Sequence, residues 1–391
     1  MADELPKHPP QVAIPMDDKR IWIDGCFDFT HHGHAGAMLQ AKRLGNYLCV
    51  GTHSDEEILA NKGPTVMSLA ERILAVSACR WANLPVPGAP YVTDPAWMDL
   101  YGCRFVVHGD DVTTDASGED CYRIVKSAGR FRIVKRTPGI STTDLVGRML
   151  LCTKTHHIKD LGALLLGKDG EDMLEMMRNY ASDEFGAVGR GPPVLEYMPT
   201  APRSCRTLVH GLMPAMGRRI IYVDGGFDLF TPGHIEFLRL VKKEATAAGE
   251  SEPYIVAGLH SDRVINYWKG LNYPIMSLFE RAMCVLQCRF IDALVLEAPF
   301  IPDAEFLDAI GETFGGELEA VYHGPTAFME GEEDTYQEAK ERGIYREVGS
   351  HRWADVNAGV IVRRILNERE RYEERQRKKG FKAEMEVVMT N

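Results

Sequence analysis

Short apolar runs alternate along this chain with segments whose apolar residues recur every three or four positions. The runs 21–25 (IWIDG), 47–53 (YLCVGTH), 103–109 (CRFVVHG) and 130–136 (RFRIVKR) predict strands, and the periodic segments 33–44, 68–80, 119–128 and 141–151 predict helices. Strands alternating with helices at this spacing imply βαβ units and a mainly parallel sheet. Ligands of such a sheet bind beyond the carboxyl ends of its strands.

The pattern occurs twice. IWIDGCFDFTHHGH at 21–34 returns as IYVDGGFDLFTPGH at 221–234, so Asp24 pairs with Asp224, Asp28 with Asp228 and His34 with His234, while His31 meets Thr231. GTHSDEEILANKG (51–63) is echoed by GLHSDRVINYWKG (258–270), and MSLAER (67–72) by MSLFER (276–281). Self-similarity of this extent means two copies of one domain. The expected organisation is a leader over 1–19, a first α/β domain over 20–151, a linker over 152–217, a second α/β domain over 218–366 and a charged tail over 367–391. The linker carries one candidate helix, Glu171–Tyr180, and a Gly/Pro-rich stretch. The tail lacks the Leu/Phe/Trp stripe of a membrane-surface helix and reads as a solvated helix.

Composition narrows the functional classes. A net charge of −11 argues against a general nucleic-acid binder but leaves room for a local anion pocket. Nine cysteines without CxxC spacing suggest neither a metal site nor a disulfide framework, and a reduced, cytoplasmic setting is expected. No run reaches the ~18 apolar residues of a membrane span.

Two segments of the first copy carry candidate chemistry. A strand ending at Asp24-Gly25 leads through a short turn into a helix near Gly33, whose first turn offers unpaired N–H groups to phosphate. His31 and His34, three residues apart at that helix start, can donate to the same anion and to charge that develops during phosphoryl or nucleotidyl transfer. In Arg136–Leu145 (RTPGISTTDL), Gly139 permits an unusual backbone, Ser141, Thr142 and Thr143 open a second helix, and Arg136 can clamp a phosphate. Arg72 and Arg281, each in an MSLxER segment, are either phosphate ligands or internal ion-pair partners.

DGCFDFTHHGH followed by RTPGISTT resembles the cytidylyltransferase family, in which DGxxDxxHxGH and RTxGISTT recur in this order. The resemblance implies tandem Rossmann-like nucleotidyltransferase domains that join CTP, with Mg²⁺, to a phosphorylated alcohol and release pyrophosphate. It assigns His31 and His34 to the CTP phosphates and the transition state. Lys62 would close over the phosphates of both substrates. Gly25, Cys26 and Phe27 would line the triphosphate, and Arg136, Gly139, Ile140, Ser141, Thr142 and Thr143 would hold the nucleotide. Two tandem copies resemble the branch whose acceptor is phosphoethanolamine; Tyr91, Asp110 and Asp111 are the candidates for its amine end. Phosphocholine as acceptor, an adenylyltransferase and a non-catalytic nucleotide-binding regulator remain the alternatives, and a homo-oligomer stays open.

The second copy departs from the motif. Thr231 replaces a histidine, and RWADVNAGVIVRRIL matches RTPGISTTDLVGRML, keeping Arg352 but placing Asn357, Ala358 and Gly359 where Ser141, Thr142 and Thr143 stand. Catalysis is therefore expected in the first copy. A shaping, stabilising or regulatory role is expected for the second.

Overall fold

The computed structural model describes residues 9–156, 158–200, 203–316, 318–324 and 334–390. The chain divides into two compact units, Met1–Leu150 with Ile361–Asn391, and Leu151–Val360.

The first unit contains β1 (Asp17–Gly25), α1 (His32–Leu44), β2 (Tyr47–His53), α2 (Asp55–Lys62), α3 (Leu69–Ala78), β3 (Leu84–Ala89), α4 (Pro95–Leu100), β4 (Cys103–Gly109), α5 (Arg123–Ser127), β5 (Phe131–Val134) and α6 (Thr142–Leu151). Its sheet runs β3-β2-β1-β4-β5, and every neighbouring pair is parallel. Strand order reverses beside β1, which makes the gap beyond the carboxyl ends of β1 and β4 the natural ligand crevice. β1 is buried across Ile21, Trp22 and Ile23, and Trp22 packs with Cys49, Val86 and Val106 in the core. Each such large side chain contributes about 1.5–3 kcal/mol on burial. α3 opens with a capping box in which Ser68 and Glu71 satisfy each other's backbone N–H groups.

Several boundaries differ from expectation. β1 begins at Asp17, so the end of the expected leader is in the sheet, whereas residues 1–8 lie outside the described residues. β3 and α2 were not foreseen. β3 reads LPVPGA, and its two prolines are tolerated because it is an edge strand. The helix expected over 119–128 shrinks to α5, preceded by a bridge between Thr114 and Asp120.

The second unit holds α7 (Leu161–Leu166), α8 (Gly170–Tyr180), β6 (Val194–Met198), β7 (Ser204–Val209), β8 (Ile220–Gly225), α9 (Pro232–Ala247), β9 (Tyr254–His260), α10 (Asp262–Lys269), α11 (Leu278–Leu286), β10 (Ala293–Ala298), α12 (Ala304–Thr313), β11 (Leu318–His323), α13 (Gln337–Glu341) and β12 (Tyr345–Glu347). Its sheet runs β12-β11-β8-β9-β10-β6-β7, parallel except for the β6–β7 pair. The segment expected as linker thus supplies two strands of this sheet. Tyr197 on β6 meets Phe306 edge-on at 4.8 Å, within the second core.

α14 (Ala358–Asn367) and α15 (Arg369–Thr390) close the chain. From Ile361 onward it returns to the first unit, and Tyr372 is buried there. The expected solvated tail is therefore docked along its first turns, because Tyr372 and Arg375 reach the backbone carbonyls of Thr65 and Pro64, which water would otherwise satisfy.

Candidate active site

Every predicted site residue follows the carboxyl end of a strand of the first sheet. Gly25 to His34 follow β1, Lys62 follows β2, Tyr91 follows β3, Asp110 and Asp111 follow β4, and Arg136 to Thr143 follow β5. The turn after β1 is strained, with Phe27, Phe29 and Thr30 all at positive φ (54°, 64° and 40°). Such backbone costs roughly 1–3 kcal/mol per residue and is tolerated where the surroundings over-determine it.

Two anchors hold that turn. Asp28 is buried, and its carboxylate accepts from the N–H groups of Val66 and Met67 at 2.9 and 3.0 Å. Burial pushes its pKa up, opposed first by Arg375 and then by those two N–H groups. Arg72 is fully buried and donates to the carbonyls of Met67, Cys26 and His53 and to the Asp55 carboxylate at 3.1, 2.6, 2.8 and 2.7 Å. Arg281 repeats the set on Met276, Gly226, His260 and Asp262. The question left open for these arginines resolves towards internal structure.

The turn delivers His31 and His34 as a stacked pair, with ring centroids 3.8 Å apart and planes 20° from parallel. Phe27 meets His34 edge-on at 5.5 Å, and the Thr142 hydroxyl lies 3.4 Å from His31 Nε2. A Cβ on Gly33 would come within 2.9 Å of both the His31 ring and Ile140, so only glycine lets these segments meet. Gly139 takes φ 82°, and Ser141 accepts from the Asp144 N–H to cap α6. Imidazoles, hydroxyls and a helix start converge here as donors, the chemistry of an anion site.

Lys62 ends α2 and remains solvent-accessible, its ammonium 5.6 Å from the centre of the Tyr91 ring. Crowding by the surrounding protein lowers its pKa, and the Asp111 carboxylate opposes that shift. Tyr91 is buried and borders a cleft of about 470 Å³ lined also by Glu57, Asn61 and Asp115. Asp110 and Asp111 are exposed and engage Arg136: its N–H reaches Asp110 at 3.3 Å, its guanidinium Asp111 at 3.9 Å.

Three participants were not assigned from sequence. Asp24, at the end of β1, accepts from Trp22, Thr93 and Tyr122 at 2.9, 2.7 and 2.7 Å. Asp28 was visible in the motif but had no role. Arg375, in the charged tail, carried no signal at all.

The second unit keeps the strained turn, with Phe227, Leu229 and Phe230 at positive φ, and Asp228 bonded to the N–H groups of Ile275 and Met276. Several of its polar groups are engaged internally. His234 Nδ1 accepts from the Thr231 N–H at 3.0 Å, capping α9, and burial with Lys269 nearby lowers its pKa to about 3. The Gly233 N–H donates to the Val356 carbonyl at 3.3 Å. Asn357 accepts from the Val360 N–H, and Arg352 lies 4.6 Å from the Trp353 ring.

Asp224, the partner of Asp24, accepts from Tyr336, and burial raises its pKa to about 6 despite Tyr336, His323 and Tyr222. A carboxyl with a raised folded pKa binds protons more tightly when native, so stability falls as pH rises from about 4 to 6. Asp224→Asn, which keeps the acceptor for Tyr336, is expected to remove that fall. It should stabilise the second unit by no more than about 3 kcal/mol at pH 7.5, as read by denaturant unfolding across pH.

Residues 22–148 and 222–372 match the Cytidylyltransferase-like family. The chain is 42% identical over 368 residues to the ethanolamine-phosphate cytidylyltransferase of Dictyostelium discoideum, covering 93% of this chain and 95% of that one. It is 40% identical over 387 residues to the Mus musculus protein of the same name, covering 93% and 89%. Similarity to choline-phosphate cytidylyltransferase A of Rattus norvegicus, 41% over 153 residues, covers 36% of this chain and 42% of that one.

Proposed function

The chain belongs to the ethanolamine-phosphate cytidylyltransferases of the cytidylyltransferase-like family, and on that premise we propose that its first domain is where CTP meets phosphoethanolamine. The enzyme transfers the cytidylyl group of CTP to phosphoethanolamine and yields CDP-ethanolamine and pyrophosphate. An oxygen of the acceptor phosphate attacks the α-phosphorus in line, the bond to the β-phosphate oxygen breaks, and pyrophosphate leaves. No covalent enzyme intermediate is needed; positioning and charge neutralisation supply the rate.

His31 and His34 donate to the phosphate chain as charge moves onto the leaving group. The first-turn N–H groups of α1 share that load. Lys62 spans the two substrates' phosphates, and Ser141, Thr142 and Thr143 with Arg136 hold the nucleotide. Tyr91 is favoured for the amine end, since it borders a cleft and its ring lies 5.6 Å from the Lys62 ammonium; Asp110 and Asp111 have less support, because they engage Arg136. Mg²⁺ enters with CTP as part of the substrate. Substrate phosphate oxygens and water are its expected ligands.

The observation that carries the reading is the contrast between the two histidine turns. His31 and His34 stack at a helix start, whereas in the second copy Thr231 stands in place of the first histidine, His234 Nδ1 caps α9 and the Gly233 N–H is bonded to Val356. The test is pyrophosphate release from purified protein with CTP and Mg²⁺, phosphoethanolamine against phosphocholine. Strong preference for phosphoethanolamine is expected. Preference for phosphocholine would keep the chemistry and overturn the acceptor, and binding of CTP without turnover would return the regulator reading.

A further inference from the structure

The loop that follows Lys62 is held by the far end of the chain. Arg375 on α15 donates to the Pro64 carbonyl at 2.7 Å, and the Tyr372 hydroxyl donates to Thr65 at 2.9 Å. Arg364 forks onto both oxygens of Glu71, at 2.9 and 2.8 Å, in the capping box of α3. One residue beyond Arg375, Gln376 donates to the Thr143 carbonyl at 2.7 Å. A single turn of α15 therefore touches both the Lys62 loop and the hydroxyl-bearing start of α6. Gly63, at φ 93°, lies against it: a Cβ there would come within 3.3 Å of the Arg375 side chain.

The Arg375 guanidinium also lies 3.8 Å from Asp28, and the two side chains are only 13% and 1% exposed. Asp28 in turn holds the N–H groups of Val66 and Met67 at the other end of the same loop. Arg375 thus grips the loop directly at Pro64 and indirectly through the aspartate.

We propose that Arg375 is a positioning residue for the reaction: it supplies the counter-charge of Asp28 and pins Pro64, so that the loop carrying Lys62 is fixed with the ammonium beside Tyr91. This rests on the reading of the first domain as the site of transfer. The second domain provides an internal comparison. Asp228 binds its loop in the same way, but the charge that favours its ionised form most is that of Lys269, the counterpart of Lys62. In the first domain that charge is Arg375, whose guanidinium lies 3.8 Å from Asp28.

The experiment uses the full chain and compares Arg375→Ala, Arg375→Lys and Lys62→Ala by steady-state pyrophosphate release and thermal melting. Arg375→Ala should lower kcat/KM for CTP at least about tenfold, the scale of a misplaced reacting group, with a melting midpoint near that of the parent. Arg375→Lys should keep part of the rate, and low guanidinium chloride should restore part of it to Arg375→Ala. In an Asp28→Asn background, Arg375→Ala should cost less than in the parent, because only the Pro64 hydrogen bond is left to lose. Unchanged kinetics of Arg375→Ala would overturn the proposal. So would a loss that follows the melting midpoint and is relieved neither by lysine nor by guanidinium, since that would mark general destabilisation. Unchanged rates for Lys62→Ala would overturn the underlying site reading instead.

Discussion

His34→Ala is expected to lower kcat at least ~100-fold, the scale of losing one preorganised transition-state donor, while His234→Ala leaves it within about twofold. His34 stacks on His31 at 3.8 Å beside Thr142, so its loss removes a donor and the surface that orients the other imidazole. His234 is engaged differently. Its Nδ1 accepts from the Thr231 N–H, which puts the ring proton on Nε2, and its pKa of about 3 keeps the ring neutral at physiological pH. A neutral ring that caps its own helix contributes about 1 kcal/mol to local stability. Pyrophosphate release from both variants, with a melting curve for each, separates the two roles. Equal losses would assign catalysis to both copies.

The largest loss of stability is expected from Arg72→Ala, at about 3–5 kcal/mol. Arg72 has no solvent-exposed side-chain surface and makes four hydrogen bonds, three of them to backbone carbonyls at the ends of β1, β2 and the Lys62 loop. Truncation would orphan those carbonyls and open a cavity. Asp55, whose side chain is 41% exposed, can recover water and contributes less to the loss. Arg72→Lys should rescue little, since an ammonium cannot span the positions a guanidinium fork reaches. Urea unfolding reads the effect directly. A variant with parental stability but a tenfold weaker KM for CTP would instead make Arg72 a phosphate ligand.

Much of the first domain was legible because its strands and helices bury regular faces. β1, β2, β4 and α6 fall within a few residues of their predicted spans, and DGCFDFTHHGH lies on the strand, turn and helix start it implied. β3 escaped because Pro85 and Pro87 argue against a strand unless it is known to be an edge. Gly33 was read as room for a ligand, whereas what it admits is the His31 ring and Ile140. Residues 194–209 looked like linker because their turn-rich flanks hide two short strands. Arg375 and Gln376 left no trace, since they dock on the backbone carbonyls of Pro64 and Thr143, and a carbonyl is the same whatever side chain stands there.

The route of the chain also sets an order of events during synthesis. The first sheet can pair once residues up to Val134 have left the ribosome, yet Tyr372 and Arg375, which complete that unit, emerge after the whole second one. At about 5–20 residues per second, roughly 10–50 s separate the two moments. The domain that is begun first is finished last, so a nascent chain carries an assembled sheet with an unclamped Lys62 loop until the first turns of α15 fold back.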